Sequence, residues 1–145
     1  MSTIFSGFDI RGRLGESMTT EDAWTLGKAF ADWLPEDGRV VVVASSTANA
    51  TILKAVTEGL RLQGRDVIDG GQGDAQTVIQ ISVGSKTAGG ILVSHDDLQD
   101  LETIELYEAN AVLITSENGL SEISSLVEAG NFVPAAVKGE LTSII

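Results

Sequence analysis

"RVVVVAS", Arg39 to Ser45, places four valines in an unbroken row. No polar residue alternates with them, so the run reads as a strand buried on both faces. Such a strand needs a covering layer above and below it, and the flanking sequence supplies candidates. Upstream, "TTEDAWTLGKAFADWL" (residues 19–34) carries Ala23, Leu26, Phe30 and Leu34 on one helical face. Thr20 reads as its N-cap, Glu21 and Asp22 sit in the favourable first turn, and Pro35 marks its end. Downstream, "NATILKAVTEGLRLQG" (49–64) lines up Ile52, Leu53, Val56 and Leu60, with Gly64 as a stop.

The alternation continues. "DVIDGG" (66–71) reads as a short strand, "DAQTVIQISVGS" (74–85) as a weaker helix and "GGILVS" (89–94) as a third strand. "TIELYEANAVLI" (103–114) reads as one or two antiparallel or edge strands turning near Asn110. "SENGLSEISSLVEAG" (116–130) is a last helix with Ile123, Leu126 and Val127 inward. Strand, helix, strand, helix, strand implies right-handed crossovers. The expected fold is α/β: a single three-layer domain over residues 1–145, with a mixed, mainly parallel sheet of about four strands and helices on both faces.

Composition narrows the function. The chain has 145 residues and no cysteine, which removes disulfides, thiolate catalysis and cysteine-based zinc sites. Its net charge of -12 repels nucleic acid and anionic lipid, so neither is expected as a partner. The first residues show no basic region followed by an apolar stretch, and no apolar run approaches membrane-spanning length. A soluble cytoplasmic protein is the simplest expectation.

In open parallel sheets ligands sit beyond the carboxyl ends of strands. Those ends here are "ASSTAN", "DGGQGD" and "SHDDLQ". The last holds His95, the single histidine of the chain. Ser94 and His95 are adjacent on an extended segment and point to opposite sides, which argues against a nucleophile–base pair. His95, Asp96, Asp97, Asp100 and Glu102 offer hard oxygens for a divalent ion, yet lack the calcium-loop spacing and its glycine. A solvated acidic loop is the competing reading. The glycines of "DGGQGD" are an anion nest or a tight turn, and Asp69 and Asp74 favour the turn. Trp24 and Trp33 read as packing residues rather than ligand platforms.

The order and spacing of "IFSGFDIRGR", "TLGKAFADWL", "RVVVVASST", "AVTEGLRLQGRDVIDGG", "GGILVSHDD" and "IELYEANAVLI" resemble domain 1 of the α-D-phosphohexomutases, the phosphomannomutase/phosphoglucomutase family. "FDIRGR" is close to that family's Tyr-Asp-Ile-Arg-Gly start. The resemblance implies a phosphoserine enzyme with Mg²⁺ that moves a phosphoryl group between two positions of a hexose phosphate. It implies Ser94 and His95 as catalytic candidates, Arg11 and Arg13 as substrate-binding candidates, and Asp96 and Asp97 as metal candidates. Asp9 and Arg11 either hold a loop near Ser94 in this reading or form a structural salt bridge or a solvated turn.

The motifs depart from the family pattern. "ILVSHDD" stands where the family has Ile-Met-Ile-Thr-Ala-Ser-His-Asn-Pro, and "ASSTA" stands where it has Gly-Arg-Asp-Thr-Arg. The resemblance stops at domain 1, so the Mg²⁺-holding, sugar-selecting and phosphate-binding parts are expected to be missing, and no cofactor is expected in the isolated chain. Phosphoryl transfer depends on positioning and charge neutralisation. A carboxylate about 6 Å from a phosphoserine costs about 3 kcal/mol per unit charge at an effective dielectric near 20. Asp96 and Asp97 therefore oppose a phosphorylated Ser94. The expectation is a domain inactive alone that acts as a binding or assembly module. The alternatives are a mutase part completed by another chain and a small phosphosugar binder. Phe132, Val133, Val137, Leu141, Ile144 and Ile145 make the last fifteen residues apolar. That points to a homodimer through this tail or through an edge strand at Thr103–Tyr107.

Overall fold

The computed structural model describes residues 10–144. Phe8, Asp9 and Ile145 lie outside them, and with Asp9 the expected pairing to Arg11. Along the chain run β1 (Ile10–Gly12), α1 (Thr20–Trp33), β2 (Val40–Ala44), α2 (Ala50–Leu62), β3 (Val67–Gln72), α3 (Ala75–Ser85), β4 (Gly89–Asp96), β5 (Leu101–Glu108), α4 (Leu120–Ala129) and β6 (Leu141–Ser143). The strands form one sheet in the order β1-β5-β4-β2-β3-β6. β2, β3, β4 and β6 are joined by parallel pairings, while β5 is antiparallel to both β4 and β1.

The valine run is the centre of this sheet, as its sequence requires. Val40 and Val42 face one core, with Phe30, Leu26, Val56, Leu60 and Ile123 from α1, α2 and α4. Val41 and Val43 face the other, with Val78 of α3, Ile68, Leu92 and Tyr107. Helices thus cover both faces. α1 and α2 lie unusually close, because a Cβ at Gly27 would collide with the Val56 carbonyl and one at Gly59 with the Trp24 carbonyl. Both tryptophans serve packing: Trp33 stacks on Phe30 with centroids 6.4 Å apart and donates to Glu122 at 2.9 Å. Lys28 lies over Trp24. Among the described residues, no helix is long and apolar enough to cross a membrane.

Three expectations change. The sheet has six strands, not about four; the two extra ones, β1 and β6, are three-residue edge strands, too short to show a period. The segment Thr103–Tyr107 is not an open edge at its start, since Arg11 and Ile10 of β1 pair with Thr103 and Ile104, nor at its end, where Tyr107 bridges Leu113. Finally, Thr19 rather than Thr20 caps α1: its hydroxyl accepts from the Asp22 N–H, and the Asp22 carboxylate accepts from the Thr19 N–H. The acidic residue at the third helical position selects the earlier threonine.

The tail folds back onto its own chain. Gly139 N–H donates to Arg61 O, Ala135 N–H to Leu62 O and Val67 N–H to Glu140 O. These bonds are made by backbone, and while Phe132 packs against the core, four apolar side chains stay outside: Val133 is 84% exposed, Val137 78%, Leu141 47% and Ile144 46%.

Candidate functional site

The chain places its candidate residues at the carboxyl ends of β2 and β4 and in the hairpin joining β4 to β5. β4 continues two residues past the predicted strand, so Ser94, His95 and Asp96 belong to a regular antiparallel ladder opposite Thr103, Glu102 and Leu101. Directly opposed residues share a face of the sheet. That rule separates Ser94 from His95, as alternation along a strand demands.

Ser94 lies on the α3 side, two residues after Leu92. Its hydroxyl shares a hydrogen bond with the Thr103 hydroxyl at 2.5 Å. The next residue in the same cross-strand row is Arg11 of β1, opposite Thr103. Sheet register thus brings Ser94, Thr103 and Arg11 into one line.

His95 lies on the other side, boxed by carboxylates. Its Nδ1 meets Glu102 Oε2 at 2.8 Å, and its Nε2 meets Asp100 Oδ1 at 3.2 Å and Asp97 Oδ1 at 3.7 Å. The hydrogen bond to Glu102 is the main cause that raises the His95 pKa. Desolvation opposes it, and the charges of Glu102, Asp100 and Asp97 reinforce it. The Glu102 side chain is only 6% exposed, and its Oε1 has no hydrogen-bond partner among the described residues.

The two aspartates are engaged separately. Asp96 Oδ1 accepts from the N–H groups of Leu98 and Gln99 at 3.0 and 3.2 Å, closing the hairpin turn. Asp97 faces His95. Among the described residues, no group of three or more histidine, aspartate or glutamate side chains comes together to hold a metal ion. The two aspartates face different partners, Asp96 with one oxygen on backbone amides and Asp97 beside the imidazole.

Arg13 reaches the hairpin tip, donating from Nη2 to Gln99 O at 3.2 Å, and pairs with Glu16 at 3.6 Å. The loop after β2 also locks onto this end, since Thr47 Oγ1 donates to the His95 carbonyl at 3.2 Å and shares a hydrogen bond with Ser45. Neither Thr103 nor Thr47 is marked as a site residue by the sequence alone. The signal for Thr103 was the hairpin register, which becomes readable only once the loop between β4 and β5 is known to be four residues, 97–100.

A concavity of about 380 Å³ opens between α2 and the β3–β6 edge. Val42, Leu53 and Leu141 form its apolar lining, with Lys54, Arg61 and Asp69 also on its walls.

The sequence profile described as "Phosphoglucomutase/phosphomannomutase, alpha/beta/alpha domain I" matches residues 2–133. A phosphomannomutase of Salmonella typhimurium is 33% identical over 147 residues, covering 98% of this chain and 32% of that protein. A phosphomannomutase of Klebsiella pneumoniae is 31% identical, covering 98% of this chain and 92% of that one. Among solved structures, a phosphoglucomutase/phosphomannomutase family protein of Burkholderia thailandensis superposes with a TM-score of 0.74 at 21% identity, over 99% of this chain and 32% of that one. A structure from Thermus thermophilus gives 0.75 at 18% identity, over 97% of this chain and 32% of that one. The chain therefore spans about a third of the length of the first relatives it matches.

Proposed function

Because this chain belongs to the phosphoglucomutase/phosphomannomutase family, as its α/β/α domain I, we propose that it performs no phosphoryl transfer by itself and serves as a binding or assembly module. The observation that carries this reading is the state of Ser94. A phosphate acceptor needs a free hydroxyl, room for a dianion and cations around it. Here the hydroxyl is tied to Thr103 within a regular strand ladder. The residues that follow are acidic, and His95 is turned to the opposite face and enclosed by three carboxylates. Arg11 is the one cationic residue in Ser94's row, with Thr103 between them.

The assembly part of the reading rests on the tail. Val133, Val137, Leu141 and Ile144 stand out from a tail held by backbone bonds, and Leu141 borders an apolar-lined concavity. Exposed apolar side chains on one tail favour a covering polypeptide. A second copy, giving a two-fold homodimer, is the simplest cover. A chain supplying further parts of a mutase is the second reading, and the same exposed side chains favour it. A cytoplasmic setting and hexose phosphate as an occasional ligand complete the picture. In coupled assays with glucose 1-phosphate and mannose 1-phosphate, primed with the bisphosphate and Mg²⁺, the isolated chain should stay at background. Turnover that Ser94→Ala abolishes would overturn the reading.

A further inference from the structure

The connection from β5 to α4 contains Asn118 followed by Gly119, and the geometry points to this pair as a self-modification site: we infer that the folded loop promotes deamidation of Asn118. Gly119 is fixed at this place by structure. Its φ is +145°, and a Cβ would collide with the Trp33 ring. The nitrogen following Asn118 therefore carries no side-chain shield, and its N–H donates to none of the described residues.

The carboxamide is held at both ends. Asn118 Oδ1 accepts from the Thr115 N–H and, at 3.2 Å, from the Thr115 hydroxyl. Two donors on one carbonyl oxygen stabilise the negative charge that develops there when a nucleophile adds. On the other side, Asn118 Nδ2 donates to Glu108 Oε2 at 3.3 Å and to Leu113 O at 3.1 Å. Glu108 is thus a carboxylate beside the departing nitrogen, able to relay a proton. In the reaction the Gly119 nitrogen loses its proton and bonds to Asn118 Cγ. The Cγ–Nδ2 bond then breaks, ammonia leaves with that proton, and a cyclic imide remains. Water opens the imide to aspartate or isoaspartate. No oxidant or cofactor is needed.

The product dismantles the loop that formed it. Both Nδ2 donations are lost, and a new carboxylate faces that of Glu108. Leu120 and Ile123, buried at 2% and 0% exposure, follow immediately in α4, so the modification loosens that helix at its start.

The test is peptide mapping by mass spectrometry during incubation of the whole native chain at mildly alkaline pH, beside a synthetic peptide of residues 113–123. The native chain should form aspartate and isoaspartate at this position faster than the peptide. Thr115→Val should slow the native reaction by about threefold to tenfold, the scale of one lost hydrogen bond, and leave the peptide rate unchanged. Hydrogen exchange across residues 113–123 reports whether that variant keeps the loop closed. Should it open, Glu108→Gln serves as the second variant, with slowing again expected. Native reaction slower than the peptide, or a folded variant as fast as wild type, would overturn the inference.

Discussion

Ser94 and Thr103 face each other across the β4–β5 hairpin with their hydroxyls 2.5 Å apart. Each satisfies the other, so removing one leaves a polar group without its partner, whereas removing both does not. Ser94→Ala and Thr103→Val should each cost about 1 kcal/mol. The double variant should cost less than their sum, and denaturant unfolding of the four proteins measures the difference.

The histidine box gives a pH dependence. Glu102, Asp100 and Asp97 all hold the charged imidazole, so the folded pKa lies above the ordinary value near 6.5. A group raised on folding contributes stability in full below its unfolded pKa and loses it as pH rises through the folded one. Stability should therefore fall on going from mildly acidic to mildly alkaline pH, and His95→Gln should flatten that slope. Because the chain has one histidine, proton NMR of its ring follows the titration without overlap. A midpoint at or below the ordinary value would contradict the box.

Tyr107 offers a second single-probe titration. Burial is the main cause that pushes its phenol up to about 12, with Glu105 adding to it. The chain contains one tyrosine, so ultraviolet absorbance should show no phenolate at the ordinary value near 10 while the protein stays folded. Ionisation there would mean that the α3-side core around Tyr107 is open.

The closest helix contact predicts a large effect from a small change. Gly27→Ala or Gly59→Ala adds a methyl group against a backbone carbonyl rather than a flexible side chain. Neither helix can yield without moving the other, so each should cost about 3 kcal/mol, the upper part of the overpacking range. Gly84→Ala, with open space around its Cβ, is the control and should be neutral or mildly stabilising in α3.

The tail tests assembly. Cutting the chain after Gly139 removes β6 and the exposed Leu141 and Ile144. Light scattering at micromolar concentration should give a dimer for the whole chain and a monomer for the shortened one. A whole chain that is monomeric would remove the dimer reading, and a shortened chain that still pairs would move the interface away from β6.

Much of the fold was legible because burial on both faces leaves a composition that no other element has. Arg39–Ser45 announced a central strand, and the helical faces around it announced covering layers. β1 and β6 were illegible for the opposite reason. Three residues at a sheet edge are selected by backbone pairing, and the side chains of β6 are all exposed, so no apolar period records them. The site was legible as a location and not as an arrangement. Alternation along a strand already separated Ser94 from His95. The partners Thr103 and Glu102 depend on the hairpin register, which Asp96 sets by closing a turn that runs through Asp100 at a φ of +56°. A non-glycine residue in that conformation gives little sequence signal.

Incubation with glucose 1,6-bisphosphate and Mg²⁺, followed by intact-mass measurement, shows whether Ser94 takes a phosphate. A Ser94 hydroxyl locked to Thr103 and followed by two aspartates should accept no phosphate, and the mass should equal that of the sequence. A stoichiometric phosphate adduct that disappears in Ser94→Ala would contradict the account and restore this chain as a phosphoserine domain.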